Sequence, residues 1–119
     1  MGASQVVLFI PDRNQEDRPI DQQYWVDEAL NVMGTIFRGA TAFPPGRGVW
    51  RDDEAGGRLL KEQTVMVVSY VDRKLLAGLT LRSLREFLHR FGREAQQGEV
   101  CIVIDSKYYG ISSYDVPRS

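Results

Sequence analysis

Thr64-Val65-Met66-Val67-Val68-Ser69-Tyr70-Val71 carries the strongest strand signal in the chain, being built mostly of β-branched and aromatic side chains. Just upstream, Val49-Trp50-Arg51 can pair as a second strand, and the turn between them, Asp52 to Gly57, is rich in acid and glycine. The region is therefore expected to form a hairpin with a polar tip, its second strand running from Leu59 to Val71. Two further strands flank it at a distance. Val6 to Ile10 is a continuous apolar run stopped by Pro11-Asp12, as suits a central strand covered on both faces, and Val100 to Ile104 is a second such run.

Two helices separate these strands. Apolar residues at Val26, Leu30, Met33 and Phe37 repeat at helical spacing. Asp21 is placed to cap that helix, Asp27 and Glu28 keep its early part acidic, and Gly39 is placed to end it. The second helix shows the cleaner stripe, Leu81, Leu84, Leu88, Phe91 and Ala95. Ser83 with Glu86 fits a capping box, Thr80 is the rival start, Gly92 lies in the last turn, and Gln96-Gln97-Gly98 stops it. Strand, helix, strand, strand, helix, strand predicts a ferredoxin-like βαββαβ sandwich, with a four-stranded antiparallel sheet and two helices on one face. The expected domain spans residues 1–111, and 112–119, without periodicity, is expected to be a loose tail. Such a fold hosts many functions and selects none.

The stretch Gly48-Val49-Trp50-Arg51-Asp52, a glycine turn, then Glu62 leading into Val65 to Tyr70, resembles small bacterial proteins of uncharacterised domain families. Phe91-Gly92-Arg93-Glu94 with Gln97 before the last strand is similar too, so the likeness covers the second half of the chain. It implies a ferredoxin-like topology and transfers no functional residue.

At 119 residues, 43% hydrophobic and 26% charged, the chain suits one folded domain rather than a disordered or membrane-embedded one. A formal charge of -1 argues against a nucleic-acid partner held by overall charge. The start, Met1-Gly2-Ala3-Ser4-Gln5, lacks a secretory pattern and no apolar run is long enough for a membrane span, so a cytoplasmic protein is expected. One cysteine and one histidine leave little room for metal clusters, disulfides or the usual triads. Cys101, inside an apolar run, is expected to be a buried thiol.

Several groups are candidates for chemistry. Asp12 directly follows the first strand. In ferredoxin-like dimers an acid there from each subunit can hold Mg²⁺, an arrangement similar to small nuclease-like proteins of CRISPR adaptation, and Asp52, Asp53 and Glu54 could add ligands. Pro11 interrupts the expected motif, and acidic turn residues usually serve only the turn. His89 is the only side chain with an ordinary pKa near neutrality, but its helical position sets it on an outer face with Arg82, Arg85, Arg90 and Arg93. Glu86 and Glu94 interleave there at ion-pair spacing, so this face is expected to be solvated rather than to lie along phosphates.

The segment Phe43-Pro44-Pro45-Gly46-Arg47-Gly48-Val49-Trp50-Arg51 is the most unusual local chemistry. Arg47 and Arg51 can pair an anionic ligand or protein partner, with Trp50 packed inward on the alternate side. Asp52 and Asp53 are placed to neutralise Arg51, which puts more weight on Arg47. The bland alternative is a rigid connection whose Phe43 and Trp50 plug the core. Tyr108, Tyr109 and Tyr114 cluster after the last strand, as interface tyrosines do.

The strands are apolar on both faces. Met66, Val68 and Tyr70 alternate with Val65, Val67 and Val71, although two helices cover only one side of a sheet. A second copy is the expected cover, so the chain is expected to be a self-associating binding module without a cofactor, dimerising through Met66, Val68, Tyr70, Tyr108 and Tyr109. The rivals are a metal-dependent phosphodiesterase using Asp12, or a dimeric enzyme with a pocket between sheet and helices that draws on His89, Tyr24 or Tyr70.

Overall fold

The apolar run at Val6–Ile10 lies inside a longer strand β1 (Ala3–Pro11) in the computed structural model, which describes residues 2–114. Helix α1 (Gln22–Phe37) starts where the sequence predicts, with the Asp21 carboxylate accepting from the Tyr24 amide at 3.1 Å. It ends at Arg38, whose φ of 70° supplies the left-handed cap expected of Gly39. Then come β2 (Thr41–Ala42), β3 (Gly46–Asp52), a 3-10 turn at Asp53–Ala55 and the long β4 (Arg58–Asp72). Helix α2 (Gly78–Glu94) begins ahead of both Thr80 and Ser83, with Ala77 at its N-cap and no side-chain bond there. Strands β5 (Val100–Ile104) and β6 (Lys107–Ile111) complete the fold.

The four-stranded ferredoxin-like βαββαβ sandwich is thereby overturned. The protein is α+β, with a six-stranded antiparallel sheet in the order β2-β4-β1-β5-β6 and β3 also paired to β4. Two features made the difference. Asp105, at φ 57°, lets the chain reverse through Asp105-Ser106, so the residues beyond form a sixth strand with Ile104 opposite Lys107. Thr41 and Ala42 form a short edge strand opposite Val68 and Val67, where Ser69 Oγ donates to the Gly39 carbonyl at 2.8 Å.

Both helices pack on one face of the sheet. Val6, Leu8, Ile10, Val67, Val71 and Ile102 point into a core closed by Trp25, Met33, Leu84, Phe87 and Phe91. Trp25 is the hinge of that packing. Its ring meets Phe91 edge-on at 5.1 Å, and the Arg90 guanidinium lies over it at 5.2 Å while bonding Glu28 at 2.8 Å. Arg90 therefore fills the space between the helices and does not join a solvated stripe, although Arg82 and Glu86 do pair across one turn at 3.4 Å.

His89, expected on the outer face, is buried with 4% of its surface exposed. Tyr114 covers it, with the two rings edge-on at 6.1 Å, and the Tyr114 hydroxyl donates to the Gln97 carbonyl at 2.8 Å. Gly92 is required beneath that ring, because a Cβ there would collide with Tyr114. Tyr114, near the start of the expected tail, is thus packed against α2, and residues 115–119 of that tail lie outside the described ones.

The opposite sheet face has no helix over it among the described residues. Val7 sits opposite both Val68 and Val103, Phe9 opposite Met66, and Val103 opposite Tyr108. Tyr109 pairs with Ile102 and so belongs to the helix face instead. Pairing of β1 with β4 stops at Pro11 and Thr64, with Gln63 still bonded to Asp12, so Arg58 to Glu62 pair only with β3 and project as a two-stranded arm. The arm stretches the molecule to 46 × 29 × 25 Å.

Candidate functional site

A cavity of about 480 Å³ opens on the helix-free face where the arm leaves the sheet. Its first wall comes from β1, β3 and β4. Glu62 and Thr64 share a face with Met66, and Trp50, Gly48 and Gly46 lie across from Leu60, Glu62 and Thr64 on the same side. Phe9 and Pro11 extend that wall along β1. With no side chain at Gly48, the space above Glu62 stays open.

The second wall is Glu99, Cys101 and Tyr108. Tyr108 Oη donates to a Glu99 carboxylate oxygen and lies 3.0 Å from Cys101 Sγ. The Cys101 thiol also donates to that carboxylate, Sγ lying 3.6 Å from its oxygen. Gly110 makes room for this group, because a Cβ there would strike the Glu99 carboxylate. Partial burial pushes the Cys101 thiol above its ordinary pKa of 9.0; the bond with Tyr108 opposes this, and Glu99 and Glu62 push it further up. Burial and bonds to Cys101 and Glu99 also hold the Tyr108 hydroxyl firmly protonated. Cys101 is therefore a neutral wall group, half-buried rather than enclosed as the sequence suggests, and not a thiolate nucleophile.

The third wall is the loop after β1, with Arg13, Asn14 and Gln15 facing Gln97 and Gly98. Among the described residues Arg13 is the only cationic side chain lining the cavity, against the carboxylates Glu62 and Glu99. Glu62 is perturbed as well. Desolvation raises its pKa first and the nearby Asp12 charge adds to this, while a bond from Thr64 opposes them and Asp17 raises it further. Three aromatic faces (Phe9, Trp50 and Tyr108), two carboxylates and a partly dry interior favour a flat ligand carrying positive charge.

Of the residues singled out from sequence, Trp50 belongs to this site, but not as expected. It is 49% exposed on the open face instead of plugging the core, and Phe43 is also exposed. Trp50→Ala should therefore cost less than about 1 kcal/mol of stability, well short of a buried tryptophan's loss. It should nonetheless abolish most ring-ligand binding; titration and thermal melts on the same samples check both. Arg51 is held by Asp53 at the arm's tip, and Arg47 alternates onto the face away from Trp50, with no ion-pair partner among the described residues.

Asp12 is occupied structurally, accepting from the Gln63 amide at 3.0 Å on the helix side. Among the described residues no three His, Cys, Asp or Glu side chains gather closely enough to hold a metal ion. His89 lies in the core and lines no wall of the cavity. Tyr24 lies on the exposed side of α1, and Tyr70 accepts a bond from Gln5 at 3.1 Å further along the open face. Glu62, Glu99 and Arg13 were missed as site residues. A usable signal existed for Glu62, a carboxylate in register with Met66, Val68 and Tyr70 on one strand face.

Neither protein-family models nor the sequences of curated proteins match this chain. Two solved structures do. A phage SAM lyase in complex with S-methyl-5′-thioadenosine superposes with a TM-score of 0.69 at 13% identity, covering 98% of this chain and 94% of that one. A phage SAM lyase in the apo state gives 0.67 at 18% identity over the same shares. What the match shows is the fold. It extends over nearly the whole chain, including β6, which the ferredoxin-like expectation left out. No helix among the described residues is long and apolar enough to cross a membrane.

Proposed function

We propose that the cavity binds a sulfonium nucleoside of the S-adenosylmethionine type and cleaves its carbon–sulfur bond. The observation that carries this reading is a cavity with aromatic walls and two carboxylates on the helix-free sheet face. An adenine ring stacks on Trp50 or Tyr108, and the sulfonium is attracted by Glu62, Glu99 and the aromatic faces. The near full-length likeness of fold to a SAM lyase supports the same choice of ligand.

The chemistry needs no further reactant. When the bond between sulfur and the amino-acid chain breaks, its electron pair stays on sulfur and leaves the neutral thioether S-methyl-5′-thioadenosine. The four-carbon fragment closes through its own carboxylate oxygen to a lactone. The protein's part is to fold the chain so that oxygen and carbon meet, and to strip water from them. Because Glu62 and Glu99 attract the cation more than the neutral thioether, they favour substrate capture and product release.

Chromatography after incubation with S-adenosylmethionine should reveal S-methyl-5′-thioadenosine, at a rate lost in Glu62→Gln. Binding heat without any product would leave a binding module and remove the lyase. Neither heat nor product would remove the ligand class as well.

Self-association is a second reading, favoured by one specific observation. Met66, Tyr70 and Tyr108 are 40%, 68% and 57% exposed on the face that no helix covers. A second copy laid on that face would hide them and help roof the cavity. Light scattering should give a mass above the 13.5 kDa chain, and Met66→Glu should return it to the monomer. A wild-type monomer at assay concentration ends this reading.

A further inference from the structure

The cavity is charged unevenly, and its one positive group stands on a braced loop. Asn14 Oδ1 accepts from the Glu16 and Arg18 amides at 2.9 and 3.0 Å, which closes the loop as a turn. The Gln15 amide donates to the Gln96 carbonyl at 2.9 Å, and the buried Gln97 donates its Nε2 to the Arg13 carbonyl at 3.0 Å. The Arg13 side chain is steadied from one edge, Nη1 donating to the Asp17 carbonyl at 3.0 Å. The Asp17 carboxylate stands 4.0 Å from Nε, too far for a good hydrogen bond. A guanidinium has five donors, so its fork retains the capacity to take a second carboxylate bidentately.

We propose that Arg13 is the specificity-determining residue that holds the carboxylate of the ligand's amino-acid end. This rests on the sulfonium reading and adds a distinction to it. The aromatic walls and the carboxylates serve the nucleoside and the sulfonium, whereas Arg13 selects ligands that carry an amino acid. Of the three charged residues that line the cavity among the described ones it alone can attract an anion, and Glu62 and Glu99 would repel one placed against either of them.

Calorimetric titration with three ligands separates the outcomes. S-adenosylmethionine carries the carboxylate, its decarboxylated form keeps sulfonium and ammonium without it, and S-methyl-5′-thioadenosine has neither the amino-acid chain nor the charge. Arg13→Gln should weaken S-adenosylmethionine roughly 10- to 100-fold, the range for a charge-assisted hydrogen-bonded pair. The other two ligands should change by less than about twofold, and unchanged S-methyl-5′-thioadenosine binding certifies that the loop is still folded. Equal loss for all three ligands, or no loss for any, overturns the role of Arg13 while leaving the sulfonium reading standing. Failure of the wild type to bind any of them defeats both.

Discussion

Replacing Glu62 by glutamine is expected to weaken binding of a sulfonium ligand roughly 10- to 100-fold while making the unliganded protein more stable at neutral pH. Both effects have one cause. The carboxylate is partly desolvated and lies near Asp12 and Asp17, so folding raises its pKa. A carboxyl whose pKa is raised on folding favours the folded state while protonated. That contribution is complete below the unfolded pKa and is lost as pH rises through the folded one. The gain in Tm of Glu62→Gln over wild type should therefore be present at neutral pH and vanish towards pH ~4, where wild-type Glu62 is itself protonated. Cation binding by the wild type should run the other way, rising with pH as Glu62 ionises and levelling off above. Melting curves and titrations across that range decide it. A pH-independent affinity, or a Glu62→Gln variant that melts early at neutral pH, would show that Glu62 is a structural partner and not the cation's counter-charge.

The largest stability loss is expected at Trp25. It is 6% exposed, meets Phe91 and Phe87, and carries Arg90 over its ring. Trp25→Ala should cost about 3–5 kcal/mol by opening a cavity between the helices and the sheet. It also strips Arg90 of one aromatic face, leaving Phe87, over which the guanidinium lies at 5.3 Å. For a domain of this size the fall in Tm should exceed ~10 °C. Arg90→Met, which keeps an apolar stem between the helices, should cost only about 1–2 kcal/mol. Urea unfolding of both variants gives the comparison, and near-equal losses would place the energy in the Arg90–Glu28 pair instead of the indole.

What the sequence made legible was local. Asp21 and the stripe through Met33 and Phe37 located α1, and the alternation through Met66, Val68 and Tyr70 located β4 and its uncovered face. What it hid was decided by contacts between distant segments. His89 has helical spacing for an outer face, yet it is buried, with Tyr114 set edge-on against its ring and close over Gly92. Arg90 has ion-pair spacing to Glu86 and Glu94, yet Glu28 on the other helix takes it. The cavity draws its walls from Phe9 to Gln15, from the arm and from Gln97 to Tyr108, so no spacing within one segment announces it. Strand β6 was missed because its turn depends on Asp105 adopting a left-handed conformation that aspartate tolerates but does not advertise.

Strand β4 is one continuous strand living in two mechanical environments. From Thr64 to Asp72 it is locked against β1, with the core behind it, and Gln63 is still tied to Asp12; from Arg58 to Glu62 its ladder partner is β3 alone. An isolated two-stranded ribbon is marginal in water. The outer half should therefore exchange its amide hydrogens through brief local openings, while the inner half exchanges only when the whole domain unfolds. Glu62 and Trp50 line the cavity from the outer half, and Phe9 lines it from β1, which is locked to the inner half. The cavity is thus a jaw with one rigid and one yielding side, which can loosen around a ligand without disturbing the core that holds the molecule together.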